Sequence, residues 1–371
     1  MMLRQRSNDV IRFGSLFARD AAGGVMARFA GRRVATAYST RVAIRAACDL
    51  LGLKPGDEVL VPAYNCGSEI DPLLHAGLVL QMYPVDARAV VEAAEVEARV
   101  TARTRAIYVT HYFGFPQPCV AALREICDRR GLVLLEDCAL LMPWAETGRF
   151  GDVAFFCFYK FFAVLAGGAL VLNRDDLVLP GFTKAPPLRL AVKALLRAGI
   201  VTVLGPGGVA RLRRRKATVS RAETFPDMPG GYYFDPALIG RRISKLADWP
   251  LRGFDVAAVI AARRANYVAY LELVRGMAGV EPLYPVLPEG VGPLNMPVWV
   301  ANRDAVAQAL AAQGIAAVPW WAGYHRGLDF TEFSEARQLK DGILALPVDQ
   351  GMDAAQVARV VQWLAAVLAK A

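Results

Sequence analysis

Histidine is scarce in this chain of 371 residues, with only three copies, at positions 75, 111 and 325. They are too few and too dispersed for a histidine-based metal cluster. The six cysteines, at 48, 66, 119, 127, 138 and 157, have no paired spacing, so neither a disulfide framework nor a zinc site is indicated. The N-terminal stretch up to Gly24 is broken by charges before the apolar core of a signal peptide can form, and the protein is read as cytoplasmic. Internal repeats and low-complexity tracts are absent. Acidic residues are missing from one region altogether. Between Leu177 and Ala222 there is no Asp or Glu, while ten Lys and Arg occur there. Setting those ten aside leaves 33 basic against 34 acidic residues, so the formal net charge of +9 is a local property. It does not imply nucleic-acid binding.

What is present points to a large globular protein. Hydrophobic residues make up 55% and charged residues 21%, which excludes a disordered chain, and the length accommodates two domains. The most informative stretch runs from Gly131 to Leu172. Leu132 to Leu135 is a continuous apolar run, as expected of a strand buried on both faces of a parallel sheet, and it ends in Glu136-Asp137. A second apolar strand, Val153 to Phe158, leads into Lys160. The pair Gly167-Gly168 and a third strand, Ala169 to Leu172, follow. Open α/β sheets place their ligands at the carboxyl ends of strands. An acid at one strand end and a lysine at the next can address the two ends of a flat cofactor ring.

These residues resemble the DegT/DnrJ/EryC1/StrS family of sugar aminotransferases, which use pyridoxal 5'-phosphate (PLP). Glu136-Asp137-Cys138-Ala139 matches the family's E-D-x-A phrase, whose Asp pairs with the pyridinium nitrogen. Gly151-Asp152 through Lys160 to Gly167-Gly168 matches the segment that carries the cofactor-linking lysine. Gly52-Leu53-Lys54-Pro55-Gly56-Asp57-Glu58-Val59 matches the phrase L-G-x-x-P-G-D-E-V. The residue types suit the chemistry. PLP works as an electron sink while its ring nitrogen stays protonated, which a buried carboxylate enforces. A lysine that links the cofactor and moves a proton must be flexible and tunable in pKa.

The resemblance implies further positions. Ser39, Thr40 and Arg41, at the start of a helix from Thr40 to Leu51, fit the turn that holds the PLP phosphate at a helix N-terminus, although the family's Gly is missing there. The alternative role for Ser39 or Thr40 is a plain N-cap. An aromatic stacks on the ring in the family. Its slot falls on Cys66 here, so Tyr64 is the substitute candidate, against a role in core packing. His111, in a phrase like H-x-x-G, either lies against the cofactor or is a satisfied histidine at a strand end. Strands at 78–83 and 105–110 alternate with a helix at 120–127, stopped by Gly131, which predicts a parallel doubly wound sheet.

Several departures stand out. Leu140 replaces the Gln that contacts the cofactor's phenolic oxygen. Cys157 is nearest to the absent phosphate-binding serine, and the loop into Lys160 is two residues shorter. Gly231 to Asp235 replaces the phrase that lends an Asn to the partner's site. The stretch 186–216 also leaves the family pattern. Leu188 to Leu204 is apolar except for Arg189, Lys193 and Arg197, four apart on one helical stripe. Three cations in 17 residues argue against a membrane span. The readings are peripheral contact with an anionic membrane, or a helix packed on its own domain or on a dimer mate with a solvated basic loop.

The expectation is an α/β, fold-type-I PLP transferase with a mostly parallel seven-stranded-type sheet flanked by helices. Residues 1–250 form the large domain, with a basic insert at about 177–222, and residues 251–371 form a smaller α+β domain. In the latter, helices are expected at 255–277 and, capped by Asp304, at 304–313, with strands at 297–301 and 315–319 and a last helix capped by Asp353. The implied reaction moves an amino group from an amino acid, glutamate by analogy, to a keto sugar, most readily a nucleotide-linked one, in a homodimer. Arg241, Arg242 and Arg326 are unranked candidates to hold the donor's carboxylate. Two rivals remain. A family dehydratase carries His in place of the lysine, so Lys160 speaks against it. A catalytically degenerate relative would act as a membrane-associated scaffold in polysaccharide assembly, a reading that Leu140, Cys157 and the basic insert favour.

Overall fold

The computed structural model describes residues 24–144, 146–164, 166–187 and 234–369. The basic cluster 211–216 and most of the 186–216 stretch therefore lie outside the described residues, as do Gly231, Tyr232 and Tyr233.

In chain order, the first half runs α1 (Gly24–Ala27), β1 (Arg33–Ala37), α2 (Thr40–Leu50), β2 (Glu58–Pro62), α3 (Ile70–His75), β3 (Val79–Tyr83), α4 (Ala93–Glu97), β4 (Thr104–Thr110), α5 (Val120–Arg130), β5 (Val133–Cys138), β6 (Val153–Cys157) and β7 (Gly168–Leu172). The second half runs α6 (Lys245–Leu251), α7 (Val256–Val274), β8 (Val280–Pro282), β9 (Asn295–Val300), α8 (Arg303–Ala312), β10 (Val318–Pro319), α9 (Ser334–Gly342), β11 (Ile343–Pro347) and α10 (Ala354–Leu368).

Seven strands form one sheet in the order β1-β7-β6-β5-β4-β2-β3. Neighbours from β3 to β6 are parallel. Strand β7 is antiparallel to both of its neighbours. The unbroken apolar character of β5 and β6 follows from this position: every residue of β6 is buried, and β5 is buried from Leu134 onward. Helix α5 ends where expected, on Gly131 at φ 64°, a left-handed conformation open to glycine at little cost. Its last-turn arginines, Arg129 and Arg130, both pair with Glu97 of α4, which also suits the negative end of the helix dipole.

Helix α7 leads into a second, antiparallel sheet in the order β10-β11-β9-β8. Asp255 caps α7 by accepting from the Ala258 N–H, at 2.9 Å. Asp353 caps α10 in a full capping box with Gln356. Two expectations need correction. Asp304 is not a cap: Asn302 occupies that place at φ 50°, without a side-chain cap bond, and Asp304 pairs with Arg303 instead. The strand expected from Ile315 shrinks to Val318–Pro319, because only those residues pair with β11.

Candidate active site

The site grows out of the pairing of β5 with β6. Asp137 lies opposite Phe155 and Cys138 opposite Phe156, so the carboxyl ends of both strands open toward the same place. Asp137 is the penultimate residue of β5. After β6 the chain makes a tight 3-10 turn, Phe158–Lys160, which carries Lys160 just beyond the strand end. Asp137 and Lys160 line one cavity. The Lys160 ammonium stands 5.2 Å from the centre of the Trp320 ring.

Asp137 is fully spoken for on its protein side. Its Oδ1 accepts from the Ala139 N–H at 2.8 Å and its Oδ2 from the Tyr108 hydroxyl at 2.8 Å. Burial, and then the charge of Glu69, push its carboxyl up to about 6; the two hydrogen bonds and Lys160 oppose them. Burial, followed by the Asp137 charge, raises the Tyr108 phenol far above its ordinary value, so it donates as a neutral O–H. Alternation along β5 turns Glu136 to the opposite face. There it accepts from the N–H groups of Phe150 and Gly151, at 2.9 and 2.8 Å.

The wall opposite Asp137 comes from the start of α2. Ser39 caps that helix by accepting from the Val42 N–H, so the plain capping role is the one its hydroxyl fills. Ser39 does not line the cavity, whereas Thr40 and Arg41 do. The Thr40 hydroxyl donates to the Phe156 carbonyl of β6 at 3.0 Å, tying helix to strand. Gly168 makes that approach possible. A Cβ there would meet the Thr40 nitrogen at 2.6 Å, Thr40 Oγ1 at 2.8 Å and the Phe156 carbonyl at 2.9 Å. The Gly-Gly before β7 is thus a seat for the helix N-terminus.

Other sequence-derived candidates fall differently. Cys157 lines the cavity. Tyr64 stands behind it: wholly buried, its ring packs on Tyr112 and Trp321 with centroids at 5.2 and 5.1 Å. The loop from Pro62 instead presents Cys66, Ser68 and Glu69 to the cavity. His111 is also removed from the cavity lining. Its Nδ1 accepts from the Gln117 N–H, which leaves the proton on Nε2 to donate to Glu136 at 3.1 Å. Burial tends to raise the Glu136 carboxyl, but His111 and the two backbone donors outweigh it and hold the group below its ordinary value. His111, Glu136 and Cys138 do bring possible metal-ligand atoms within 4.8 Å of one another, in a cluster knit by these same hydrogen bonds. Arg241 bonds to the Ala237 and Ala185 carbonyls, and Arg242 lines a separate groove along β1.

Glu69, Ser68 and Trp321 are among the cavity residues that were not anticipated. Glu69 accepts from the Cys66 N–H at 2.9 Å, from the Cys66 thiol at 3.0 Å and from the Ser68 hydroxyl at 3.2 Å. Glu69 lies seven residues past β2 and immediately precedes α3, where no local pattern marked it. Trp321 comes from the second sheet's loop after β10, and no local pattern foretold its reach across the molecule.

A mainly parallel sheet with β7 reversed, flanked by helices and joined to a small antiparallel sheet, is the α/β fold that solved aminotransferases share. The model of the DegT/DnrJ/EryC1/StrS aminotransferase family matches residues 18–179 of the chain. The chain is 29% identical over 188 residues to the GDP-perosamine synthase of Vibrio cholerae, a match over 47% of this chain and about half, 51%, of that enzyme. A longer match, 27% over 339 residues, covers 86% of this chain and 79% of the UDP-N-acetyl-3-dehydro-alpha-D-glucosamine 3-aminotransferase of Acidithiobacillus ferrooxidans. Among solved structures, the aminotransferase TlmJ from Streptoalloteichus hindustanus superposes with a TM-score of 0.65 at 21% identity, covering 93% of this chain and 87% of its own. An aminotransferase from Psychrobacter cryohalolentis does so with 0.65 at 16%, covering 93% and 89%.

That family's cofactor is PLP, and the chemistry of the residues lining the cavity fits it. Asp137 suits a pyridinium, Lys160 an aldehyde, and the α2 N-terminus with Thr40 and Arg41 a phosphate. Leu140 lines the same cavity and offers no hydrogen bond.

Proposed function

We propose that this chain is a PLP-dependent aminotransferase that passes an amino group from an amino acid, glutamate in the first instance, to a keto sugar carried on a nucleotide. The observation that carries the reading is the single cavity shared by Asp137 and Lys160. The activities of the relatives, a perosamine synthase and a 3-aminotransferase of a UDP-linked keto sugar, supply the substrate class.

When bound, PLP supplies an electron sink for the bond to the substrate's α-hydrogen. The rest falls to the protein. Asp137, as a carboxylate, would hold the ring nitrogen's proton in place. Lys160 would hold the aldehyde end and, as a free amine, would take the proton from the substrate's Cα and return it as general base and acid. Thr40 and Arg41 would hold the phosphate end and so fix the ring's register between these two groups. Ring orientation rests on those three anchors, because Leu140 contributes packing alone.

Absorbance tests the assignment. Purified protein incubated with PLP should show the visible band of lysine-linked cofactor, and Lys160→Ala should lose it. Equal spectra would remove Lys160 from its role. Glutamate should then convert the bound cofactor to pyridoxamine phosphate. Bound but inert PLP would favour the second reading, a degenerate relative serving as a scaffold in polysaccharide assembly, which the donor-free Leu140 supports.

The same reading takes the enzyme as a cytoplasmic homodimer. Among the described residues no helix is long and apolar enough to cross a membrane. Peripheral contact through 186–216 would appear as co-sedimentation with anionic but not neutral liposomes.

A further inference from the structure

Lys340 sits in α9, on the small antiparallel sheet's side of the molecule, and is only 1% exposed. Its ammonium donates to three main-chain carbonyls: Asn65 at 2.5 Å, Gly323 at 3.1 Å and Trp321 at 3.3 Å. The rings of Phe330 and Tyr324 stand 5.2 and 5.8 Å from it. Burying an ammonium is unfavourable unless its N–H groups are satisfied. Here three carbonyls from two distant loops converge on a compact cation with three donors, a geometry that lysine meets and planar arginine does not.

Those loops are walls of the cavity. Asn65 immediately precedes Cys66, and Cys66, Ser68, Glu69 and Trp321 all line it. Trp321 is also held at φ +50°, a left-handed backbone that a bulky residue avoids unless its surroundings impose it. Its carbonyl is one of the three that Lys340 grips. A second tie joins the same segments. His325 accepts the Gly327 N–H on Nδ1 and so donates from Nε2 to Asp71 of α3, at 2.8 Å, with both groups buried.

We propose that Lys340 is a positioning residue of the cofactor site: its ammonium staples the 65–69 loop to the 321–323 loop and thereby holds the cavity's shape around Asp137 and Lys160. The link to the cofactor rests on the aminotransferase reading above, whereas the staple itself does not. Nothing in the local sequence marks Lys340, whose partner Asn65 lies 275 residues away.

Cysteine reactivity supplies a test that needs no cofactor. Cys66 is half-buried in the loop that Lys340 holds, while Cys48 and Cys127 are buried in the core, outside the cavity lining. Native protein, Lys340→Met and Lys340→Gln are treated with iodoacetamide without denaturant, and alkylation is followed peptide by peptide. Local release of the loop should raise the Cys66 rate by about tenfold or more relative to Cys48 and Cys127 in the Met variant, and less in the Gln variant, which keeps a donor. An unchanged ratio, or a rise shared by all three cysteines, would show a general stability role and overturn the proposal. So would failure of both variants to fold. PLP titration of the same proteins is the second arm. Weaker PLP binding by Lys340→Met than by wild type is expected, and equal binding would overturn the functional half. A wild type that binds no PLP would sink the aminotransferase reading and leave the alkylation result standing.

Discussion

Replacing Asp137 by Asn should stabilise the cofactor-free protein near neutral pH while ruining its hold on PLP. The reasoning starts from the carboxyl's surroundings. Asp137 titrates at about 6 in the fold, against an ordinary 3.8, because burial and the charge of Glu69 disfavour the ionised form. A group whose folded pKa lies above its unfolded one adds nothing unfavourable below pH 3.8 and costs stability as pH rises toward 6. The full cost is about 3 kcal/mol, at roughly 1.4 kcal/mol for each pH unit between the two values. Asparagine does not ionise, so it escapes this cost. It gives up one acceptor, since its amide NH2 must face either the Tyr108 hydroxyl or the Ala139 N–H, at a loss of about 1 kcal/mol or more. Other groups titrate too, but they cancel when the two proteins are compared. Urea unfolding of wild type and Asp137→Asn at several pH values measures the difference directly. Relative to wild type, the variant should gain about 2 kcal/mol between roughly pH 4.5 and 7.5, most of it below pH 6. A difference that stays flat across that range, or that grows toward acid, would refute the argument.

Two further outcomes follow from neighbouring contacts. Gly168→Ala should destabilise the protein by about 2–4 kcal/mol in denaturant titration and weaken PLP binding, because its Cβ would strike the Thr40 backbone at 2.6 Å and lift the α2 N-terminus off the sheet. Glu69→Gln should bring the Asp137 carboxyl down toward its ordinary value, so the acid edge of PLP binding, followed by fluorescence quenching, should move to lower pH; an unmoved edge would detach Glu69 from Asp137.

The parts of the site legible in sequence are those set by strand ends. A strand buried on both faces reads as an apolar run, so the acids that close it, Glu136 and Asp137, mark its carboxyl end, and the family resemblance singles out Asp137. Lys160 follows in the same way, although the turn before it is a 3-10 turn rather than more strand. Gly167-Gly168 was legible as a motif, but its purpose, room for Thr40, appears only in three dimensions. Loops were harder. Within Pro62 to Glu69 the chain turns so that Tyr64 faces the core and Cys66 the cavity, a choice that side-chain type did not reveal. His111 was ambiguous because a strand end gives a side chain two directions. Its bond to Glu136, on the face away from Asp137, settles the direction. Trp321 and Lys340 were out of reach, since both act on segments hundreds of residues earlier in the chain.

The acid beside Asp137 bears on how this cavity manages with Leu140. Glu69 accepts from a backbone N–H, a thiol and a hydroxyl. Burial, and then the Glu69 charge, let Asp137 retain its proton to higher pH than an isolated carboxyl would. A cationic ring nitrogen brought to Asp137 meets two acids rather than one. In a site of effective dielectric near 20, the second charge is worth on the order of 1–3 kcal/mol to that cation. That is comparable with the hydrogen bond a polar residue at position 140 would have given. On this account the charge of Glu69 offsets the hydrogen bond that Leu140 does not supply. Adding the donor back in Leu140→Gln should then tighten PLP binding more in the Glu69→Gln background than in wild type, and simple additivity of the two changes would dissolve the link.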